Sequence, residues 1–158
     1  MKKLLLVMLV PVLVLGLFSC GGKVMDGEAV LSAMQGSWYG DDTGDSDATG
    51  NYFVLTANQA TVFKSSYTEF EDGTVAFRIN ASGAISSEKN IEADKEYDGT
   101  ISFYGFDDKK KTELGKIELT FKSGATPSIV VKKSEKSVHY QNLLIPPVGN
   151  YTGTAPTP

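Results

Sequence analysis

Cysteine, histidine and arginine are nearly missing from this chain, and each scarcity excludes something. Cysteine occurs once, at Cys20, so no disulfide can form within the chain and no cysteine-rich metal site can be built. Histidine occurs once, at His139, which reads as a strand residue with no cysteine partner and no acid motif nearby. A zinc set or a histidine-based catalytic pair therefore lacks its second member. Arginine occurs once, at Arg78, and no basic patch with interleaved aromatics appears. The balance is acidic, 15 basic against 19 acidic residues, so nucleic acid is repelled. No Gly-x-Ser-x-Gly elbow, phosphate loop or dinucleotide fingerprint is present. These absences argue against an enzyme and against any cofactor.

What is present begins with an apolar front end. Lys2 and Lys3 are followed by residues 4–18, apolar apart from Pro11 and Gly16. That run is shorter than the ~20 residues of a spanning helix. The order basic, apolar, small residue is that of a secretory signal. The competing reading is an uncut membrane anchor, which Pro11 and Gly16 weaken. The run closes on Leu17-Phe18-Ser19-Cys20, which resembles the lipobox of bacterial lipoprotein signal peptides. The resemblance implies cleavage before Cys20, a thioether-linked diacylglycerol on its sulfur, and further acylation, palmitate included, on its new N-terminus. One short acyl chain holds a protein at a membrane only marginally, at about 0.8 kcal/mol per buried CH₂, whereas two or three hold it durably. Gly21, rather than aspartate, follows Cys20. In a diderm source that rule of the family favours the outer membrane over the inner one. Removing residues 1–19 from 158 leaves 139, and removing Lys2 and Lys3 leaves 13 basic residues against 19 acidic, a net of −6. That length suffices for one domain with a real core, and its stability must come from packing.

Most of the remainder reads as strands and turns. Asp26 is placed to cap a short helix over residues 28–34, with Val30, Leu31 and Met34 on one face and Gly36 ending it. A helix this short needs something to pack on. Residues 51–56 and 60–63 read as strands around a turn at Asn58-Gln59, with 67–71 as an extension. Asp72-Gly73 is a tight-turn pair. Val75, Phe77 and Ile79 alternate with polar neighbours, a turn is expected at 81–83, and residues 86–95 read as a frayed hairpin or short helix. Asp98-Gly99 reads as another turn. Ile101 and Phe103 begin a strand with rings on both faces, Tyr104 and Phe106 being on the second. Residues 107–111 form a charged tip. Ile117, Leu119 and Phe121 mark the cleanest alternation, and residues 123–127 turn. Residues 129–131 and 137–145 supply the last two strands, Pro146-Pro147 stops pairing, and 148–158 reads as a loose tail.

Eight or nine short strands joined by tight turns make an all-β, antiparallel meander, and closing it into a barrel removes the exposed edges. A two-sheet β-sandwich fits the same strings. A short helix running into Gly36-Ser37-Trp38-Tyr39 resembles the first signature of lipocalin-like (calycin) barrels. That resemblance implies that Gly36 opens the first strand, that Trp38 plugs the barrel floor, and that the acidic loop 41–50 lies near the mouth. The organisation expected is a signal peptide at 1–19, a lipidated tether at 20–26, a small lipocalin-like barrel with a short N-terminal helix at 27–147, and a flexible tail at 148–158.

In the acidic loop, Asp45, Asp47, Thr49 and Gly50 follow the alternating spacing of a calcium loop. The position for a bidentate glutamate holds Thr56 instead, and solvation is the plainer reading, so no metal is expected. The function expected is that of a lipoprotein held in the bilayer through Cys20, binding a small apolar ligand inside the barrel. Trp38 is the floor, and Phe53, Phe77, Phe103 and Phe121 are the candidate wall, each of which could equally be plain core. The rival expectation is a surface interaction module with a filled core, an adhesin, inhibitor or envelope-assembly subunit meeting an envelope or host protein through a patch such as Tyr104 and Phe106.

Overall fold

A computed structural model describes residues 29–41, 48, 50–64, 75–106 and 111–153. The expected signal peptide, tether and Asp26 cap, and the readings at 67–73 and 107–110, lie outside the described residues. Eight antiparallel strands follow one another around a closed barrel. They are β1 (Gly36–Gly40), β2 (Asn51–Leu55), β3 (Gln59–Lys64), β4 (Val75–Gly83), β5 (Glu96–Tyr104), β6 (Glu113–Lys122), β7 (Ser128–Lys136) and β8 (Gly149–Thr152). Two short helices accompany them, α1 (Ala29–Ala33) before β1 and α2 (Ala84–Ser87) between β4 and β5. The meander closes where β1 pairs with β8, Tyr39 opposite Thr152 and Gly40 opposite Tyr151. The barrel, not the sandwich, is the arrangement adopted.

Period-two alternation explains the strands. On β6, Ile117, Leu119 and Phe121 point inward while Lys116 and Glu118 point out. On β4, Phe77 and Ile79 are buried while Arg78 and Asn80 are exposed. Cross-strand partners carry the pattern on, Trp38 facing Phe53 and Phe53 facing Val62. One apolar cluster results, running from Val30 and Met34 of the helical entry through Ile101, Ile129 and Tyr151.

The two ends of the barrel differ. At the helical end, α1 packs against α2, and the connections 56–58 and 123–127 are tight. Val30, Leu31 and Met34 are all buried there, as their shared face predicts. β1, β3, β5 and β7 end, and β2, β4, β6 and β8 begin, towards the opposite, loop end.

Four expectations need correction. Asp98-Gly99 is not a turn but the middle of β5, and β4 runs on through 81–83 to pair Gly83 with Gly99. The reason is tertiary: a Cβ on Gly99 would stand 2.2 Å from Ile85 Cγ1 and 2.5 Å from the Ser82 carbonyl oxygen. Glycine is there so that α2 can sit on the sheet. Residues 137–145 are not a strand. Val138–Tyr140 form a 3-10 turn with exposed His139, and Ile145 is buried beside Gly115. Residues 154–158 lie outside the described residues, and residues 149–152, expected in the same loose tail, are instead β8, pinned between β7 and β1. Burial of Tyr151, whose hydroxyl donates to the Pro147 carbonyl at 2.8 Å, holds it there.

Candidate functional site

The barrel interior gathers the residues singled out in the sequence. Trp38 is 3% exposed, and its indole Nε1–H donates to the Met34 carbonyl at 2.7 Å. That bond ties β1 to the residue just past α1, and it satisfies the one polar atom of a buried ring. Gly36, at φ +127°, makes the bend between helix and strand in a conformation that side-chain-bearing residues rarely take. Trp38 thus lies at the helical end, edge-on to Phe121 with centroids 6.0 Å apart.

The four candidate wall residues are all inside: Phe53, Phe77, Phe103 and Phe121 are each at most 1% exposed. They spend their faces on other side chains. Phe77 meets Phe103 at 5.2 Å and 64°, and Phe53 meets Tyr151 at 4.9 Å and 64°. These are the edge-to-face separations of packed aromatic pairs. Between them stand buried branched aliphatics, Ile79, Ile101, Ile117 and Val131 among them. An eight-stranded barrel is just wide enough for side chains to fill or for one small ligand.

A second aromatic group was not singled out in the sequence. Tyr39, Tyr52 and Phe63 stand opposite one another on β1, β2 and β3, on the face away from Trp38, Phe53 and Val62. Their rings are stacked, Tyr39 on Tyr52 at 5.3 Å and Tyr52 on Phe63 at 4.3 Å. Burial, and then the neighbouring Tyr39, raise the pKa of the Tyr52 phenol above its ordinary value. The legible signal was doubling: each of these rings sits beside a core residue on its own strand. Further round the barrel, Arg78 lies 5.5 Å over the ring of Phe106, which is 37% exposed, while Tyr104 is half-buried. The two rings proposed as a patch are therefore unequal, and one is covered by the chain's single guanidinium.

The outer face of β5, β6 and β7 is charged. Lys132 donates to Asp98 at 2.8 Å and Thr120 donates to the same carboxylate oxygen, which together hold the Asp98 carboxyl below its ordinary range. Lys133 pairs with Glu135 at 2.7 Å and Lys116 with Glu135 at 3.3 Å. A barrel that spans a bilayer turns an apolar band outward. On β5, β6 and β7 the apolar side is the inner one, and the ion pairs lie on the outer. No helix among the described residues is long and apolar enough to cross a membrane.

The other candidates are not brought together. Cys20 and the calcium candidates Asp45, Asp47 and Thr49 lie outside the described residues. Among the described residues no cluster of His, Cys, Asp and Glu is grouped to hold a metal ion. Comparison with protein-family models, with curated proteins and with solved structures returned no match.

Proposed function

We propose that this chain is a lipid-anchored envelope protein that works by recognition rather than catalysis, with its barrel as a packed scaffold and its outer surface as the working face. The observation that carries this reading is the mutual packing of the interior rings. Phe77 with Phe103, Phe53 with Tyr151 and Trp38 with Phe121 are engaged with one another, as core residues are. Recognition rather than bond-making is supported by the described carboxylates Asp98, Glu118 and Glu135, which are ion-paired on an exposed wall, and by the lone His139 on an exposed turn. Anchoring rests on Leu17-Phe18-Ser19-Cys20, and Gly21 favours the outer membrane in a diderm source. The partner class is an envelope or host protein.

A second reading keeps the small apolar ligand inside the barrel. It is favoured by one fact, that all four candidate wall phenylalanines line the same interior as Trp38. Trp38 emission separates the two. Titration of the barrel with fatty acids and with an apolar dye is expected to leave the emission without saturable change. A saturable shift at one-to-one stoichiometry establishes the interior ligand and removes the packed-scaffold reading. Intact mass of the native product, expected to begin at an acylated Cys20, checks the anchor independently.

A further inference from the structure

The outer wall of the barrel is divided by charge. On β5, β6 and β7 it carries Asp98, Glu118 and Glu135, each paired with a lysine. On β2, β3 and β4 the register sets uncharged residues side by side, Val54 beside Thr61 and Thr61 beside Ala76. Further along β4, Asn80 and Ser82 are exposed, opposite Ser102 and Thr100. Among the described side chains of β1 to β4, Arg78 carries the only charge.

Arg78 is exposed, and what restrains it is an aromatic ring. Its guanidinium carbon lies 5.5 Å from the centroid of Phe106. A ring face attracts the cation without supplying a lone pair, so the guanidinium keeps its N–H donors for another acceptor. Gln59 and Tyr104 flank Arg78 on β3 and β5, in the same row of the sheet. Both are neutral, and both have hydrogen-bonding groups. Among the described residues no carboxylate lies within ion-pair distance of Arg78, in contrast to Lys116, Lys132 and Lys133. Along its row the first carboxylate is Glu113, opposite Tyr104 and therefore two strands away, at about 10 Å. The chain is acidic, with 19 Asp and Glu against 15 Lys and Arg, so its overall field repels an approaching anion. At Arg78 that field is locally reversed, because a guanidinium stands on a wall without acids.

We propose that Arg78, restrained by Phe106 and flanked by Gln59 and Tyr104, is a carboxylate-binding site on the outer wall, and that its occupant is an acidic side chain of a partner protein lying next to an apolar one. This rests on the outer-surface reading above. Charge complementarity selects the carboxylate, whose two oxygens match the planar fork of guanidinium N–H donors. The exposed ring of Phe106 selects the neighbour. An apolar side chain laid on that ring excludes water from the ion pair and strengthens it. A polypeptide supplies both groups at a fixed spacing, whereas a small free acid supplies only one.

The test follows the full chain, isotope-labelled and kept in a non-ionic detergent, by proton–nitrogen correlation NMR. The probes are acetyl-Val-Glu-Val-amide, its glutamine counterpart and sodium acetate. The glutamate peptide is expected to shift the Arg78 side-chain Nε–H and the amides of Gln59, Tyr104 and Phe106 saturably, with an affinity that falls as salt is added. The glutamine peptide is expected to bind several-fold more weakly, and Arg78→Gln to abolish the difference between the two. Arg78→Lys, which keeps the charge but not the fork, is expected to restore part of that difference. Phe106→Ala is expected to bring the glutamate peptide down to the affinity of acetate. Both side chains are exposed, and unchanged signals elsewhere in the spectrum report that each variant is folded. No saturable shift at these groups with the glutamate peptide, or equal binding of the two peptides, overturns the site. Acetate binding to the unmodified chain as tightly as the glutamate peptide overturns the polypeptide occupant. None of these outcomes bears on the packed interior, which the Trp38 titration decides separately.

Discussion

At the scale of single residues, Gly99 shows how a local signal is overruled by a contact from elsewhere in the chain. Asp-Gly is a strong turn pair. At Gly99, however, the missing side chain serves Ile85, whose Cγ1 would lie 2.2 Å from a Cβ there, with the Ser82 carbonyl oxygen at 2.5 Å. Backbone cannot yield as a flexible side-chain tip can. Gly99→Ala is therefore expected to cost about 1–3 kcal/mol, the usual range for overpacking. Urea unfolding checks it: the midpoint falls while the slope is unchanged. Gly36 is the contrast, with nothing within 4 Å of a Cβ and only its φ of +127° to defend. Trp38 was legible because its neighbours spell a helix exit and a strand entry. Its bond to the Met34 carbonyl was not, since four residues of spacing do not show which way a ring turns.

At the scale of elements, β1, β2 and β3 are aromatic on both faces. The inner rings fill the barrel, and the outer rings Tyr39, Tyr52 and Phe63 stack across three neighbouring strands. Such cross-strand pairs contribute roughly 0.2–1 kcal/mol each. Burial and the adjacent Tyr39 raise the Tyr52 phenol in the folded state. Its stabilising share is thus whole below about pH 10, the ordinary tyrosine value, and is lost as pH rises through the folded-state value. Following tyrosinate absorbance is expected to show a late-ionising tyrosine, which Tyr39→Phe moves back only in part because burial, the larger cause, remains. On the acid side, Asp98 and Glu135 are held low by their lysine and threonine partners, so they contribute above the ordinary carboxylate range and cease to as pH falls through their folded-state values. Asp98 is exposed and Glu135 half-buried at the surface, and salt screens the contribution.

At the scale of the whole molecule, closure depends on a strand of four residues. β8 is the only element between β7 and β1, and without it both become open edges. A chain ending at Pro146 is expected to associate or unfold, with a large loss of cooperative signal in thermal melts. A chain ending at Gly153 is expected to melt as the full protein does. Long alternating strands were legible here, Ile117-Leu119-Phe121 above all, because one face meets water and the other the core. β8 was hidden because Gly149–Thr152 has a single large inward residue, Tyr151, and follows two prolines. The run Leu143-Leu144-Ile145 imitated a strand because its apolar residues cover the barrel wall beside Gly115 instead of pairing. Of the candidate site, the interior rings were legible from alternation alone. Their pairing, and the outer stack, depend on the barrel's stagger, which no single strand encodes.

The seam between β1 and β8 has a consequence for the order in which the barrel can form. It joins the earliest-made strand to the latest, so every hydrogen bond in it spans more than a hundred residues of sequence. Contacts that distant form slowly and only after synthesis is complete. Until β8 is made, β7 and β1 have no partner to close on, so closure of the barrel waits on the chain through Thr152.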